Sequence, residues 1–153
     1  MKTKFGLLVA TFAVLAAGVP MIAHHSFAAE FDGTKGIKLT GTVTKVEWMN
    51  PHTYFYIDVK EICEGTPAPQ GQETKWTCAP ADASKVPNWG LEMGSPNGLM
   101  RQGWTRNSMK IGDVVTVEGS RAKDGSNIGN ARSVTMKDGQ RLFAASSQQT
   151  PAP

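Results

Sequence analysis

The sequence of 153 residues lacks the motifs that identify several common enzyme classes. It contains no glycine-rich phosphate loop, and its serine, histidine and aspartate residues follow no recognisable triad order. It has only three histidines, and its two cysteines do not form a CxxC motif. These absences do not favour an enzyme. They favour a binding protein, and they make the few metal-ligating side chains the residues to examine first.

Long hydrophobic runs are also scarce, and the one clear run lies at the N-terminus. Lys2 and Lys4 precede an apolar segment from Phe5 to Ala17, which Gly18 and Pro20 then break. The run is too short to span a bilayer, and basic residues before a short apolar run are typical of a secretory signal peptide. We therefore expect residues 1–23 to be a signal peptide.

This segment would direct the protein to export, and its removal would change the net charge of the mature protein. Cleavage after Ala23 is favoured over cleavage after Gly18 or Ala28, and it leaves a periplasmic or secreted protein that begins at His24 and has no transmembrane segment. Without its two signal-peptide lysines the chain carries a net charge of about +1. A nucleic-acid partner needs a clustered basic surface, so we expect none.

The two cysteines, Cys63 and Cys78, predict a disulfide. In an oxidising compartment an isolated pair of cysteines is most simply a structural cross-link. The segment between them is rich in glycine and proline, which form turns. Closing a loop of this length contributes about 3 kcal/mol in the chain-entropy model.

Alternating apolar residues predict an all-β fold. The first strand is expected at 36–48, with a change of phase that indicates a β-bulge, and the next two strands at 53–62 and 89–93. Ser95 and Pro96 are typical of a helix start, and Gly103 of its end. Leu99, Met100 and Trp104 are expected to join the core. Further strands are expected at 114–119 and 130–136, with short strands at 75–77 and 140–143.

This order, three strands, one short helix and two strands, predicts a small OB-like five-stranded barrel. The domain would cover residues 24–143, with a disordered tail over 144–153, which is rich in alanine, serine, glutamine and proline. Strand count and spacing alone also allow another small barrel or a sandwich. The position of the helix favours the OB arrangement.

Three histidines, His24, His25 and His52, suggest a metal site. If the mature chain begins at His24, that residue offers both its α-amine and its imidazole, and His25 or His52 could add a third nitrogen, a set that suits Cu(II). Met49 could add a soft ligand for Cu(I). Copper or a related ion is thus the expected cofactor. Alternatively, the Asn50-Pro51-His52 corner is structural, and the imidazole bonds a carbonyl.

The second strand offers a competing hypothesis. Its odd-numbered positions, from Thr53 to Val59, are apolar apart from Thr53 and should be buried, whereas His52, Tyr54, Tyr56 and Asp58 share the opposite face. With Trp48 at its edge, this face could bind a small ligand or a periplasmic protein partner without a metal. In both hypotheses the protein is a carrier, sensor or accessory module.

Several motifs also carry a family resemblance. They are His24-His25-Ser26-Phe27, Gly41-Thr42-Val43, Asn50-Pro51-His52, Gly103-Trp104 and Gly112-Asp113. With these motifs the chain resembles, from about Ala23 to Leu142, the exported bacterial proteins of domain-of-unknown-function family 6152. The resemblance implies export and a small β-barrel, and it implies no activity, cofactor or catalytic residue.

Overall fold

A computed structural model of the protein describes residues 27–69 and 71–145. The predicted signal peptide, the histidine pair His24 and His25, and residues 146–153 of the predicted tail lie outside these ranges. Seven strands and two short helices form within them. In chain order they are α1 (Phe27–Glu30), β1 (Phe31–Glu47), β2 (Tyr54–Gly65), β3 (Thr77–Pro80), β4 (Asn88–Glu92), α2 (Pro96–Arg101), β5 (Val114–Ala122), β6 (Ile128–Met136) and β7 (Arg141–Phe143).

The strands form one sheet whose pairings return to their starting point. Strand β1 pairs antiparallel with both β2 and β5, and β5 pairs antiparallel with β6. Strand β4 closes the path, because it pairs parallel with β6 and antiparallel with β2. The short strands β3 and β7 are attached outside this path, to β2 and β6. The all-β prediction is confirmed.

The sheet has more strands than the predicted five-stranded barrel. It has seven, because β3 and β7 add to the five of the closed path. Both additions overlap the short strands predicted at 75–77 and 140–143. Helix α1 adds a second helix of only 4 residues, which span too little chain for a periodic pattern to identify it from sequence alone.

The first strand is long and bent, as its change of phase predicted. Strand β1 has 17 residues, and its register against β2 shifts between Thr40 and Gly41 and again between Val43 and Lys45. At the first shift the strands come very close, since a Cβ on Gly41 would lie 2.5 Å from the carbonyl oxygen of Asp58. The bulges bend β1, which pairs with β2 along one edge and with β5 along the other.

The core follows the predicted alternation on β2. Phe55, Ile57 and Val59 are fully buried, as is Thr53 just before the strand. Their neighbours in the core come from every strand of the closed path and from the segment after α2. The polar face of β2 is half-buried, so both faces of this strand are as the sequence predicted.

Helix α2 shows one error in the predicted core. Ser95 caps its N-terminus, Pro96 occupies its first turn, and Leu99 is buried as expected. Met100, however, is 52% exposed. Successive residues of an α-helix lie about 100° apart around its axis, so the inward position of Leu99 turns Met100 towards solvent.

The ordered domain continues beyond residue 143. Ala144 and Ala145 are buried. The backbone N–H of Gly94 donates to the Ala144 carbonyl, and the N–H of Ala144 donates to that of Arg132, both at 2.8 Å. The C-terminal end of the described chain is therefore held against the strands that form the core.

The predicted disulfide between Cys63 and Cys78 is confirmed. It joins β2 to β3 at directly opposed positions and closes a loop with a sequence separation of 15 residues. Strand β3 is exposed at all four positions, and β2 is its partner in the sheet. The cross-link is therefore the main covalent constraint on the segment that connects β2 to β3.

Replacing both cysteines with alanine is expected to lower the free energy of unfolding by about 3 kcal/mol, because the unfolded chain regains the entropy of the open loop. Urea denaturation would measure this change. A reductant should destabilise the wild-type protein by a similar amount and leave the double variant unaffected. Equal sensitivity of both proteins to reductant would contradict the assignment.

Candidate functional site

The outer face of β2 carries three cross-strand groups of hydrogen-bonded polar side chains. The first group contains His52, the second Tyr56 and the third Asp58, and the groups follow one another along the strand. Each connects β2, or the residues just before it, to a neighbouring strand. These groups contain four of the seven residues for which the sequence predicted a metal or ligand role.

His52 is held at the point where the chain enters β2. The next residue, Thr53, donates its backbone N–H to the Gly94 carbonyl at 3.1 Å and accepts from the N–H of Met93 at 2.8 Å. The imidazole Nδ1 lies 3.2 Å from the Met93 carbonyl oxygen and 3.3 Å from Oε1 of Glu92. The imidazole is therefore tied to the end of β4, as the structural alternative for this corner predicted.

These contacts assign the tautomer of the neutral imidazole. A carbonyl oxygen can only accept a hydrogen bond, so Nδ1 carries the hydrogen and donates it to Met93. The lone pair of the neutral ring is then on Nε2. The His52 side chain is 30% exposed. Fixing one ring nitrogen as a donor beside a carboxylate is the arrangement that orients metal-ligating histidines in proteins.

Glu92 is the centre of this group although it is only 7% exposed. Its Oε2 accepts the hydroxyl hydrogen of Tyr54, and its Oε1 faces His52. Burial raises the pKa of Tyr54, and the hydrogen bond to Glu92 and the negative charges of Glu92 and Glu30 raise it further. The buried carboxylate thus has partners on both oxygens, which offsets the cost of its burial.

Helix α1 ends at Glu30, whose negative charge contributes to the raised pKa of Tyr54. Helix α1 is also anchored to the end of β5. The backbone N–H of Lys123 donates to the Glu30 carbonyl at 2.9 Å, and its amine donates to Ala28 at 2.5 Å.

Tyr56 belongs to a second group. Its hydroxyl donates to Oε2 of Glu47 at 3.0 Å, and the amine of Lys45 lies 2.6 Å from Oε1 of the same carboxylate. The lysine amine also lies 5.1 Å from the centre of the Tyr56 ring. Burial and the neighbouring Glu47 raise the pKa of Tyr56, whereas the hydrogen bonds from Lys45 and Tyr56 lower that of Glu47.

Asp58 forms the third group, and Trp48 lies apart. The side-chain amide of Asn88 donates to Asp58 at 2.9 Å and to the hydroxyl of Thr44 at 3.1 Å. Trp48 is half-buried and packs against the core. The predicted ligand face is therefore divided into separate bonded groups, and both tyrosine hydroxyls are already engaged by carboxylates.

Within 27–69 and 71–145 just one group of three potential metal ligands lies close together, namely Glu61, Cys63 and Cys78. Its two sulfur atoms are joined in the disulfide, so they are not thiolates that could bind a metal. His52 belongs to no such group in these ranges.

The position of Glu92 between His52 and Tyr54 is the feature of this group that the sequence did not predict. The alternation of Trp89, Leu91 and Met93 with Glu92 does place the carboxylate on the outer face of β4. Its meeting with Tyr54 depends on the register between β4 and β2, in which the two residues are directly opposed. A single sequence does not specify that register.

None of the helices in the described ranges is long and apolar enough to cross a bilayer. The described part of the chain is a small β domain with two helical segments and a histidine–carboxylate–tyrosine group at one end of its longest strand pair. A family model described as a family of unknown function, DUF6152, matches residues 12–81 and 75–132. The chain belongs to this family. Comparison with curated proteins and with solved structures gives no match.

Proposed function

We propose that this protein is an exported OB-like five-stranded barrel that binds copper, or a related ion, through His52 and the histidine pair His24 and His25. The observation that carries the proposal is the Nδ1 contact of His52 with Met93 and Glu92, which leaves Nε2 as the metal-binding nitrogen. The protein would act as a metal carrier, sensor or accessory.

The closed path of strands supports the barrel. Its five members, in chain order, are β1, β2, β4, β5 and β6, and helix α2 lies between the third and the fourth. The parallel pairing of the third and fifth members closes the path. This is the strand order and helix position expected of an OB-like barrel, with β3 and β7 as additions.

The N-terminal sequence and the disulfide support export. A short apolar run after two lysines is typical of a secretory signal, and structural disulfides persist in oxidising compartments. Exported proteins encounter copper and zinc, for which imidazole is a suitable ligand.

The length of chain before helix α1 limits how the N-terminal histidines can join such a site. Three residue steps separate His24 from Phe27, where helix α1 begins, and an extended chain covers at most about 11 Å in that length. The negative charge of Glu30, at the other end of this helix, contributes to the raised pKa of Tyr54, which shares Glu92 with His52. A joint site therefore requires the two N-terminal histidines to approach His52 from the start of helix α1. The α-amine of His24 would add a further nitrogen if the mature protein begins there.

The alternative of a metal-free ligand face receives less support. The hydroxyls of Tyr54 and Tyr56 both donate to carboxylates, and Asp58 accepts from Asn88. A ligand would have to displace these bonds. Metal binding at Nε2 of His52 would leave these bonds in place.

Titration of the mature protein with Cu(II), followed by electron paramagnetic resonance, is expected to show nitrogen ligation. His52→Ala should remove one nitrogen from the spectrum, and a short extension before His24 should remove the α-amine. Glu92→Gln should keep the ligands but weaken binding by about 10- to 100-fold, because the carboxylate that orients the imidazole is lost. Tyr56→Phe, on the same strand face, is the matched control and should bind normally.

The proposal fails if His52→Ala and the N-terminal extension both leave binding and spectrum unchanged. Mass spectrometry of the exported protein provides an independent check, because a mature N-terminus other than His24 removes the amine ligand. Unfolding curves of the variants would confirm that each retains the wild-type fold, so that a loss of binding reports on the site.

A further inference from the structure

A polar cleft of about 610 Å³ lies at the end of β2 that is far from His52. It is formed by the start of β1, the end of β2 and the turn between β5 and β6. The charged side chains that line it within the described chain are Lys35, Glu64, Arg121 and Lys123, three positive and one negative. The residues of the His52 group are not among its lining residues, so the cleft is a separate feature.

Arg121 is the best-positioned group of this cleft. Its Nη1 donates to Oε1 of Glu64 at 2.8 Å, and its Nη2 donates to the Gly125 carbonyl at 3.3 Å. Its guanidinium carbon lies 5.4 Å from the centre of the Trp89 ring. The guanidinium is thus held on several sides before any ligand arrives, and a planar guanidinium matches the geometry of carboxylate and phosphate groups.

Two buried donors at this position have no partner in the described chain. They are Nε of Arg121 and the indole Nε1 of Trp89, whose ring contacts that guanidinium. Buried polar groups in proteins nearly always form hydrogen bonds. Both nitrogens are donors only, so each requires an acceptor, and of the two residues Arg121 is the one that lines the cleft. An acceptor that carries a negative charge fits the excess of positive charge in the cleft.

Glu64 shows that a carboxylate fits against Arg121. The glutamate side chain is 62% exposed, and an ion pair this open to solvent contributes little to stability. An incoming anion can therefore displace it towards solvent. In this arrangement Glu64 is an internal competitor, which occupies the guanidinium until a ligand arrives.

We propose that this cleft binds a small molecule through a carboxylate or phosphate group, with Arg121 as the principal donor. Lys35 and Lys123 add attraction for the anion, and Glu64 competes with it. The volume is within the range of small-molecule sites, so the cleft has room for more than the anionic group. The proposal is independent of the metal site at His52.

Succinate and inorganic phosphate serve as probes, and the amide chemical shifts of Gly36, Gly65 and Gly125, which line the cleft, report their binding. We expect saturable shifts at millimolar concentrations. Glu64→Gln should bind the better probe several-fold more tightly, because the competing charge is removed. Arg121→Lys should bind it at least tenfold more weakly, since a point charge replaces the planar fork. The tighter of the two probes identifies the anion class.

The matched control for the competitor is Glu118→Gln. Glu118 also pairs with an arginine at 2.8 Å, Arg141, but neither residue lines the cleft. This variant should bind both probes as the wild type does, and so should His52→Ala. The proposal is overturned if neither probe shifts the three glycine amides, or if Glu64→Gln binds no more tightly than Glu118→Gln. Even if Arg121→Lys does not fold, the test remains decisive, because Glu64→Gln is expected to bind the probe more tightly than the wild type.

Discussion

Gly119→Ala is expected to lower the free energy of unfolding by about 4 kcal/mol, enough to unfold much of the protein under mild conditions. Gly119 pairs with both β1 and β6, at the position where the register of β5 against β6 shifts. A Cβ there would lie 2.0 Å from the carbonyl oxygen of Asn130 and 3.2 Å from the Cα of Ala131. Because the obstacle is backbone, the two strands must separate to accept even a methyl group.

Gly33→Ala is the matched control, because it adds the same methyl group in β1. Its Cβ would have one neighbour within 4 Å, Cε1 of Phe27 at 3.6 Å, which is an ordinary contact. Neither glycine has a positive φ, so the two substitutions differ in space and not in backbone strain. The control should change stability by less than about 1 kcal/mol. Equal stability of both variants in urea denaturation would refute the close approach of β5 and β6.

Trp104→Ala is expected to cost about 4 kcal/mol, the usual loss when a large buried aromatic side chain is removed. Trp104 is 2% exposed and belongs to the core. Its indole N–H donates to the Phe143 carbonyl at 2.8 Å, and its backbone N–H donates to Leu99 at 3.1 Å. Trp104 thus joins α2, through its backbone, to β7, through its side chain. Loss of the side chain removes both core packing and the hydrogen bond to β7.

Two further substitutions separate these contributions. Trp104→Phe retains an aromatic ring but loses the hydrogen bond to Phe143, and about 1 kcal/mol of the loss should be assigned to that bond. Met100→Ala, on the exposed face of the same helix, should change stability by less than about 0.5 kcal/mol. Thermal unfolding would rank the three variants. A Met100→Ala effect as large as that of Trp104→Ala would contradict the packing of this helix.

The two proposed sites use different chemistry at different ends of β2. The His52 group provides a neutral nitrogen oriented by a buried carboxylate, which suits a metal ion. The Arg121 cleft provides a guanidinium and two lysine amines, whose positive charges suit an anion. Because the two sets of residues do not overlap, a substitution at one site leaves the ligands of the other in place. Binding of each ligand can therefore be measured separately in the same variants.

Much of the local structure was predictable from the sequence. The two faces of β2, the bulges in β1, the cap of α2 at Ser95 and the disulfide all follow from periodicity, residue preference or cysteine count. The error at Met100 and the missed helix α1 concern short helices, in which a few residues cannot specify which side faces the core. The prediction for His24 and His25 concerns residues outside the described ranges and remains a prediction.

The candidate sites were predictable only in part. His52 stood out because histidines are few and it follows a proline at a corner. Glu92 did not stand out, because nothing near it in sequence marks it as a partner of Tyr54, 38 positions away. Likewise, nothing in the sequence indicated that Arg121 pairs with Glu64, because the two residues are 57 positions apart.

The sequence by itself determined that this protein is an all-β chain with a cross-linked excursion and a polar outer face on its second strand. These features depend on neighbouring residues, whose side-chain directions are set by the geometry of a strand. Only the tertiary structure decided that Glu92 lies between His52 and Tyr54 and that Arg121 meets Trp89. Those contacts depend on the register between strands that are distant in sequence, and the packing of the whole sheet selects that register.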